Sequence, residues 1–456
     1  MTAHSPVARR GGHSPAAALF TVFSALWAAG TLFHIASYNQ WGQSRPLVIA
    51  AALVLVWPRS VPALIALATL QIYFAWHESP FIPNHYLFAA LANLSVLAAV
   101  AIRAARRQPV LDGGGLVEVF GPAVRISVVL LYAFVVLHKL NADFFDPATS
   151  CGAVFYAEQR SRFSWLPDSQ AMDIVAILLA IGFEAAIGLL LLFRRTRHAG
   201  IVVGGLFHWF LAVTPGDRFY NFSALLLALF ALFASPGLVA RGLDRLGPSG
   251  WPTATRLMLA LIGGAAVVGK FFPELTGGDR FMAFQWLWAV YGLAVVAAWV
   301  WLLGGARPTD APADFTLTAP VLAVIPVVVI INGFMPYLGL KTETSWAMFS
   351  NLRTEGGVSN HYLFPASLQR FDYQRQLVTV HDSSDRLLGL FASRNQRVPI
   401  FEIQRRQDVQ VTFSQPGRGT VAGRAGDLVP GELPLWKRTL LYFRPVDSGT
   451  RQGCYH

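Results

Sequence analysis

The chain has 456 residues, 54% of them hydrophobic and only 13% charged, with a mean hydropathy of +0.47. Soluble domains carry about 25% charged residues, so the composition excludes a soluble globular protein and fits a polytopic membrane protein in a lipid bilayer. The formal net charge of +11 does not signal a nucleic-acid partner. The basic residues sit mostly in short loops between apolar segments, without aromatic interleaving or a nucleic-acid-binding motif.

Residues 1–15 form a polar tail with Arg9 and Arg10. The apolar stretch 16–38 is longer than the roughly 7–15 residues of a signal-peptide core and reads as a retained first span. A spanning helix needs about 20 mostly apolar residues. On that basis the further spans are 46–57, 61–76, 86–102, 117–138, 171–193, 199–213, 219–233, 255–271, 281–303 and 317–338, eleven in all. The pair 46–57 and 61–76 is short and split by Pro58-Arg59-Ser60, which fits either a tight hairpin or one broken span.

With the N-terminus inside, thirteen arginines from Arg9 to Arg307 fall in inner loops and seven basic residues, Arg280 among them, in outer ones. That asymmetry sets a cytoplasmic N-terminus in an inner (cytoplasmic) membrane. An odd span count then places residues 341–456 outside. This tail is polar, with β-like runs at 376–380, 387–391, 409–413 and 440–443. Turn signals such as Asp382-Ser383-Ser384-Asp385 and Gln415-Pro416-Gly417 separate them. The expected architecture is an all-α membrane bundle, 16–340, followed by a small β-rich extracytoplasmic domain, 341–456.

Polar groups near the membrane are few. Asn84 and His85 open the fourth span, Lys139 closes the fifth, His208 lies in the seventh, and Arg218 and Asn221 begin the eighth. The topology sets these at one depth. Glu184 lies deeper, in the sixth span, and Arg125 inside the fifth reads as snorkelling inward. Ionisable groups inside a membrane are expensive and mark function by default. Lys139 is either an interfacial anchor whose stem lies along apolar surface or an enclosed amine. Loss of hydration disfavours an ammonium ion. A neutral amine beside His85 or His208 takes up a proton or forms a Schiff base. No metal is expected, because His-x-x-x-His, Cys-x-x-Cys and clustered acidic pairs are all missing from the sequence. Phosphate-binding loops, nucleophile elbows and dinucleotide fingerprints are missing too. Cys151, in the loop after Lys139, and Cys454, in the tail, both fall outside, where a disulfide would tie the tail to that loop.

His138-Lys139-Leu140-Asn141-Ala142-Asp143-Phe144 resembles the Lys-Lys-Leu-Asp-Ala-Asp-Trp stretch of the vitamin K-dependent γ-glutamyl carboxylases, whose second lysine is the catalytic base. Asn84-His85-Tyr86-Leu87 resembles that family's Asn-His-Ser-Tyr-Leu, whose histidine assists catalysis. Phe207-His208 and the later Ala234-Ser235-Pro236 resemble its Phe-His…Ala-Ser-Ser-Pro segment. The wider superfamily is HTTM, the horizontally transferred transmembrane domain, common in bacteria. The resemblance implies a carboxylase-like lyase with Lys139 as base and His85 and His208 assisting in an outward-facing pocket with Asn84, Asn141, Asp143, Glu184 and Arg218. It also implies a reduced quinone, menaquinol or vitamin K-like, and a secreted peptide or protein substrate. His138, Asn141 and Phe144 depart from the family's lysine, aspartate and tryptophan, and the tail is much shorter than the luminal region of the animal enzymes. The alternative is a non-catalytic membrane maturation, assembly or transport factor that keeps the fold. The stretch from Ser345 to His361 also resembles a segment that follows the last span in bacterial HTTM proteins. It reads as a linker with a Gly-Gly turn, or as a cap bringing Arg353, Glu355 or His361 over the bundle mouth.

Overall fold

The computed structural model describes residues 14–213, 218–279, 281–307, 309–417 and 419–454; Arg9, Arg10 and Arg280 of the charge count lie outside them. Twelve helices precede the C-terminal domain: α1 (Pro15–Tyr38), α2 (Arg45–Val56), α3 (Val61–Glu78), α4 (Asn84–Ala105), α5 (Gly113–His138), α6 (Cys151–Arg162), α7 (Gln170–Leu192), α8 (Arg197–Leu211), α9 (Tyr220–Ala231), α10 (Pro236–Phe271), α11 (Met282–Gly304) and α12 (Val324–Leu338). Seven are long and apolar enough to cross a membrane: α1, α4, α5, α7, α10, α11, and α12 with the turn before it, Pro320–Leu338. A helix occurs at each of the eleven predicted segments, but α2 and α9 are short apolar helices. Residues 46–76 fall in two helices, α2 and α3. Helix α10 is bent where Gly247 takes φ 73°, ahead of Pro248, so only its second part matches the predicted span 255–271. Helix α6 is not among the predicted segments, because its mixed composition lacks a long apolar run.

By internal contacts the chain divides into two units. The first holds residues up to Ile72, Leu91–Val128 and Leu189–Ala323. Helix α1 is its centre, capped at its start by Ser14, whose hydroxyl accepts the Ala17 N–H, with Pro15 in the first turn. Gly30 admits α9 closely, since a Cβ there would stand 3.0 Å from the Leu225 backbone nitrogen. A polar network inside this unit is closed on itself. The Gln71 carbonyl accepts from the Trp27 indole and the Asn93 amide, and the Gln71 amide donates to Thr31. Arginines tie the loop before α12 to helix ends. Arg125 Nε donates to Asp314 O at 2.7 Å and Nη1 to Leu232 O at 3.0 Å. Arg197 donates to the carbonyls of Leu191, Leu192 and Ala313, and Arg241 pairs with Asp310. Arg125 therefore does not snorkel to a lipid boundary; it is buried and meets the carbonyls of Asp314 and Leu232.

The second unit holds Tyr73–Ala90, Val129–Gly188 and Val324–His456. Its sheet has five antiparallel strands, β1 (Leu377–Ser383), β2 (Gln396–Pro399), β3 (Gln410–Gln415), β4 (Gly419–Arg424) and β5 (Val446–Asp447), in the order β4-β3-β1-β2-β5. Val380 stands opposite Phe413 and Val378 opposite Val398, so one face is apolar. Helix α13 (Arg386–Ser393) covers that face with Leu388 and Phe391. The predicted run 387–391 is thus a helix rather than a strand. Asp385 caps it by accepting the N–H groups of Leu387 and Leu388, and Leu388 and Phe391 share a side at helical spacing. The predicted run 440–443 is not a strand either. It leaves a short helix at Leu440, and its Tyr442 carbonyl accepts the N–H groups of Thr342 and Glu343. Contacts group 341–456 with Tyr73–Ala90, Val129–Gly188 and 324–340.

Candidate functional site

Lys139 follows the last residue of α5, and Glu184 lies on α7. The two helices approach where Gly188 meets Tyr132; a Cβ on Gly188 would stand 3.1 Å from the Tyr132 Cβ. Glu184 is one turn before Gly188, so it faces α5 as well. Lys139 Nζ lies 3.0 Å from Oε1 and 2.8 Å from Oε2 of Glu184. The residue is only 4% exposed, which rules out the anchor reading of a lysine reaching the interface. The Phe144 ring lies 5.7 Å from the ammonium nitrogen. An ion pair taken out of water loses several kcal/mol of hydration per ion, and mutual attraction with close geometry offsets that loss.

The segment after α12 closes over this end of the unit. Ser345, Trp346, Leu352, Thr354 and Glu355 are all buried, which favours the cap over the linker. The Trp346 N–H donates to Asn84 Oδ1 at 2.7 Å, and its indole N–H donates to Val329 O at 2.9 Å. His138 Nε2 donates to Ser345 O at 3.1 Å, which leaves Nδ1 to accept the Tyr337 hydroxyl at 2.8 Å. Asn141 donates to the His138 and Ser350 carbonyls and accepts the Phe144 N–H. Asp143 accepts from the Asn360 amide at 2.7 Å and from the Gln452 N–H at 3.0 Å. Four non-glycine residues of the segment, Thr344, Trp346, Phe349 and Asn351, take positive φ, as do Gly356 and Gly357. Such conformations cost about 1–3 kcal/mol each outside glycine and persist only where the surroundings hold them.

His361 completes the lock. Its Nδ1 accepts the N–H groups of Leu363 and Phe364, so Nε2 carries the proton and donates to Leu137 O at 2.8 Å. Burial lowers its pKa, against the opposing effect of that hydrogen bond. Arg444 pairs with buried Glu355 and donates to Leu352 O. A disulfide joins Cys151, at the start of α6, to Cys454. Gly152 lets α6 lie on α7, since a Cβ there would be 2.9 Å from the Ile177 Cα.

The predicted residues divide between the units. Lys139, Glu184, Asn84, His85, Asn141 and Asp143 belong to the second; His208 and Arg218 belong to the first. His85 is buried in the first turn of α4. The structure makes Asn141 and Asp143 ties between loop and cap. His208 sits among the rings of Phe207, Phe222 and Phe230. Arg218 stacks 3.6 Å above Phe281 and donates to Ser37 O.

Sequence reasoning missed a second buried amine. Lys341 Nζ donates to Asn332 Oδ1 at 2.9 Å, and Asn332 donates to Thr344 O. Burial pushes Lys341 down to about 7, against the field of Glu343, whose own pKa burial raises. The available signal was the one that exposed Lys139: a lysine directly after an apolar span. A cavity of about 130 Å³ lies nearby, lined by Asn84, Glu343, Met348, Phe391, Arg394 and Gln396. In the first unit a larger cavity, about 550 Å³, is apolar apart from Asn39 and Lys270. Among the described residues, no group of three His, Cys, Asp or Glu side chains is placed to hold a metal ion. No family model matches the chain, and no curated protein or solved structure matches it either.

Proposed function

We propose that the chain is a multi-pass membrane enzyme of the HTTM, carboxylase-like type, in which the Lys139–Glu184 pair is the proton-transfer centre and the Ser345–His361 segment is its cap. The observation that carries this reading is the enclosed pair itself: both carboxylate oxygens within 3.0 Å of one amine that scarcely meets solvent. A lysine can exchange a proton with its partner where an arginine cannot. In this reading Glu184 takes the proton of the Lys139 ammonium, and the freed amine abstracts a proton from a secreted peptide or protein substrate. His85 assists at the same end of the second unit. Glu184 then releases its proton to water, which restores the ammonium–carboxylate pair, and the negative charge stays on the substrate carbanion.

In this reading α2, α3, α8 and α9 are short crossings beside the seven long helices, eleven in all, and the arginine asymmetry supports a cytoplasmic N-terminus. The cap and the sheet then lie outside the cytoplasmic membrane, where a disulfide persists. A reduced quinone fits the 550 Å³ cavity by size and apolar lining; Asn39 and Lys270 would hold its oxygens. Bound there, it supplies reducing electrons. None of the proton steps above runs through it.

The test is Lys139→Arg, which preserves the charge and the pair but cannot give up its proton. The expected outcome is a folded, membrane-inserted protein that fails to complement a deletion strain. Full complementation would sink the base assignment. The second reading, a transport or maturation factor, rests on Glu184 within a span. It predicts a proton-dependent flux that Glu184→Gln abolishes while Lys139→Arg retains it.

A further inference from the structure

Three stretches of the second unit present large apolar side chains to solvent. Tyr362 and Leu363 are 61% and 62% exposed, Leu435 and Trp436 71% and 50%, and Leu368, Phe371 and Leu440 are exposed as well. Clustered apolar exposure of this kind marks an interaction surface.

Hydrogen bonds fix two of the stretches to the ends of spanning helices. The Tyr362 N–H donates to Leu140 O at 3.0 Å, just past α5. The N–H groups of Arg370 and Phe371 donate to the carbonyl of Leu338, the last residue of α12, at 3.0 and 3.1 Å. The third stretch joins them through rings. Phe371 stacks on Tyr373 with centroids 6.0 Å apart, and Lys437 Nζ stands 4.7 Å from the Tyr373 centroid.

Both helices are long enough to cross a bilayer. The 26 residues of α5 extend about 39 Å, more than the roughly 30 Å of a hydrocarbon core. The apolar segment Pro320–Leu338, 19 residues, extends about 28 Å. Leu140 and Leu338 thus close two apolar helices of membrane-crossing length, and the exposed side chains lie beside those ends. Aromatic residues at the ends of such helices favour the membrane interface. Arg370, Lys437 and Arg438 accompany them. Of the acids in these stretches, Asp372 is paired with Arg375 at 3.0 Å, which leaves Glu432 against three cations.

We propose that these three stretches form a collar that seats the C-terminal domain on the phospholipid headgroup layer. Tyr362, Leu363, Phe371, Leu435, Trp436 and Leu440 enter the boundary between headgroups and acyl chains, while Arg370, Lys437 and Arg438 bind lipid phosphates. The bilayer thereby holds the cap in register with the helix ends it covers.

The experiment uses the full chain in nanodiscs. Because Cys151 and Cys454 are bonded to each other, Trp436→Cys supplies a single reactive thiol for an environment-sensitive fluorophore. The lipids are phosphatidylcholine with or without phosphatidylglycerol, spin-labelled at the headgroup, the upper chain or the chain end. Headgroup and upper-chain labels are expected to quench several-fold more than chain-end labels. The same fluorophore at Thr420→Cys, on the exposed edge strand β4, serves as the water reference. Adding Lys437→Ala and Arg438→Ala should weaken quenching only in the anionic discs. Leu440→Cys repeats the measurement if Trp436→Cys does not fold. Quenching at 436 and 440 no stronger than at 420 would overturn the collar and assign the patch to a protein partner instead.

Discussion

Two buried-cation sites, one in each unit, are built differently. In the first, the buried cations of the loop clamp are arginines that meet backbone carbonyls: Arg125 on Asp314 and Leu232, Arg197 on Leu191, Leu192 and Ala313. In the second, the buried amines are lysines, and they meet side chains: Lys139 on Glu184, Lys341 on Asn332. A guanidinium keeps its charge and its planar set of donors, so it clamps. A lysine opposite a carboxylate can pass a proton, so in the proposed function the same burial serves chemistry. The type of cation and the type of partner, more than depth, separate the fastening from the proposed reactive end.

The largest effect that would sharpen this contrast is on Lys139. Lys139→Met leaves Glu184 buried without a counter-charge, a loss of about 3–5 kcal/mol that thermal unfolding in nanodiscs would read. Lys139→Met with Glu184→Met should recover most of that stability and none of the function. Recovery of function in the double variant would mean that the pair is only a fastening, like the arginines. Next, Cys454→Ser should cost about 2–4 kcal/mol and alter mobility on a non-reducing gel while leaving the Lys139–Glu184 pair intact. Unchanged mobility would show that the bond does not form. In the first unit, Arg125→Lys replaces a fork of donors by one and should cost about 1–3 kcal/mol for the carbonyl left unmet, with complementation retained. If it abolished function at unchanged stability, the division between clamp and chemistry would fail.

The last effect is a slope with pH rather than a single loss. Lys341 is held down to about 7 from an ordinary 10.5. Between those values the unfolded chain binds a proton that the folded chain does not. Stability therefore rises with pH from about 7 towards 10.5, by at most about 1.4 kcal/mol per pH unit. Below 7 both states are protonated and this contribution is flat. Lys341→Met should remove the rise, measured as unfolding midpoint against pH; an unchanged slope would assign it elsewhere.

Much of the membrane part was legible because long apolar runs allow few alternatives. Lys139 stood out for the same reason, as a charge against an apolar background. Its partner was harder to see. Glu184 was visible as an acid within a span, but its facing towards α5 depends on Gly188 and Tyr132, a helix approach that sequence spacing alone does not fix. The cap was visible as a motif and illegible as a structure, because Asn141 to Ser350 and Asp143 to Gln452 join positions far apart in the chain. Helix α13 was misread because five apolar-rich residues fit a strand or a helix turn equally well. The deciding signal was the capping Asp385, which had been read only as part of a turn.

The Cys151–Cys454 bond spans 303 residues of chain, and that separation imposes an order on biosynthesis. Helices α7 to α12 and the whole sheet are translated between the two thiols. Until the second emerges, Cys151 stands reduced beside the Lys139 loop, and the clasp over that loop is open. A ribosome stalled anywhere in that interval therefore leaves a reactive thiol as its mark. Loss of alkylation at Cys151 would date the moment at which a nascent molecule has been sealed.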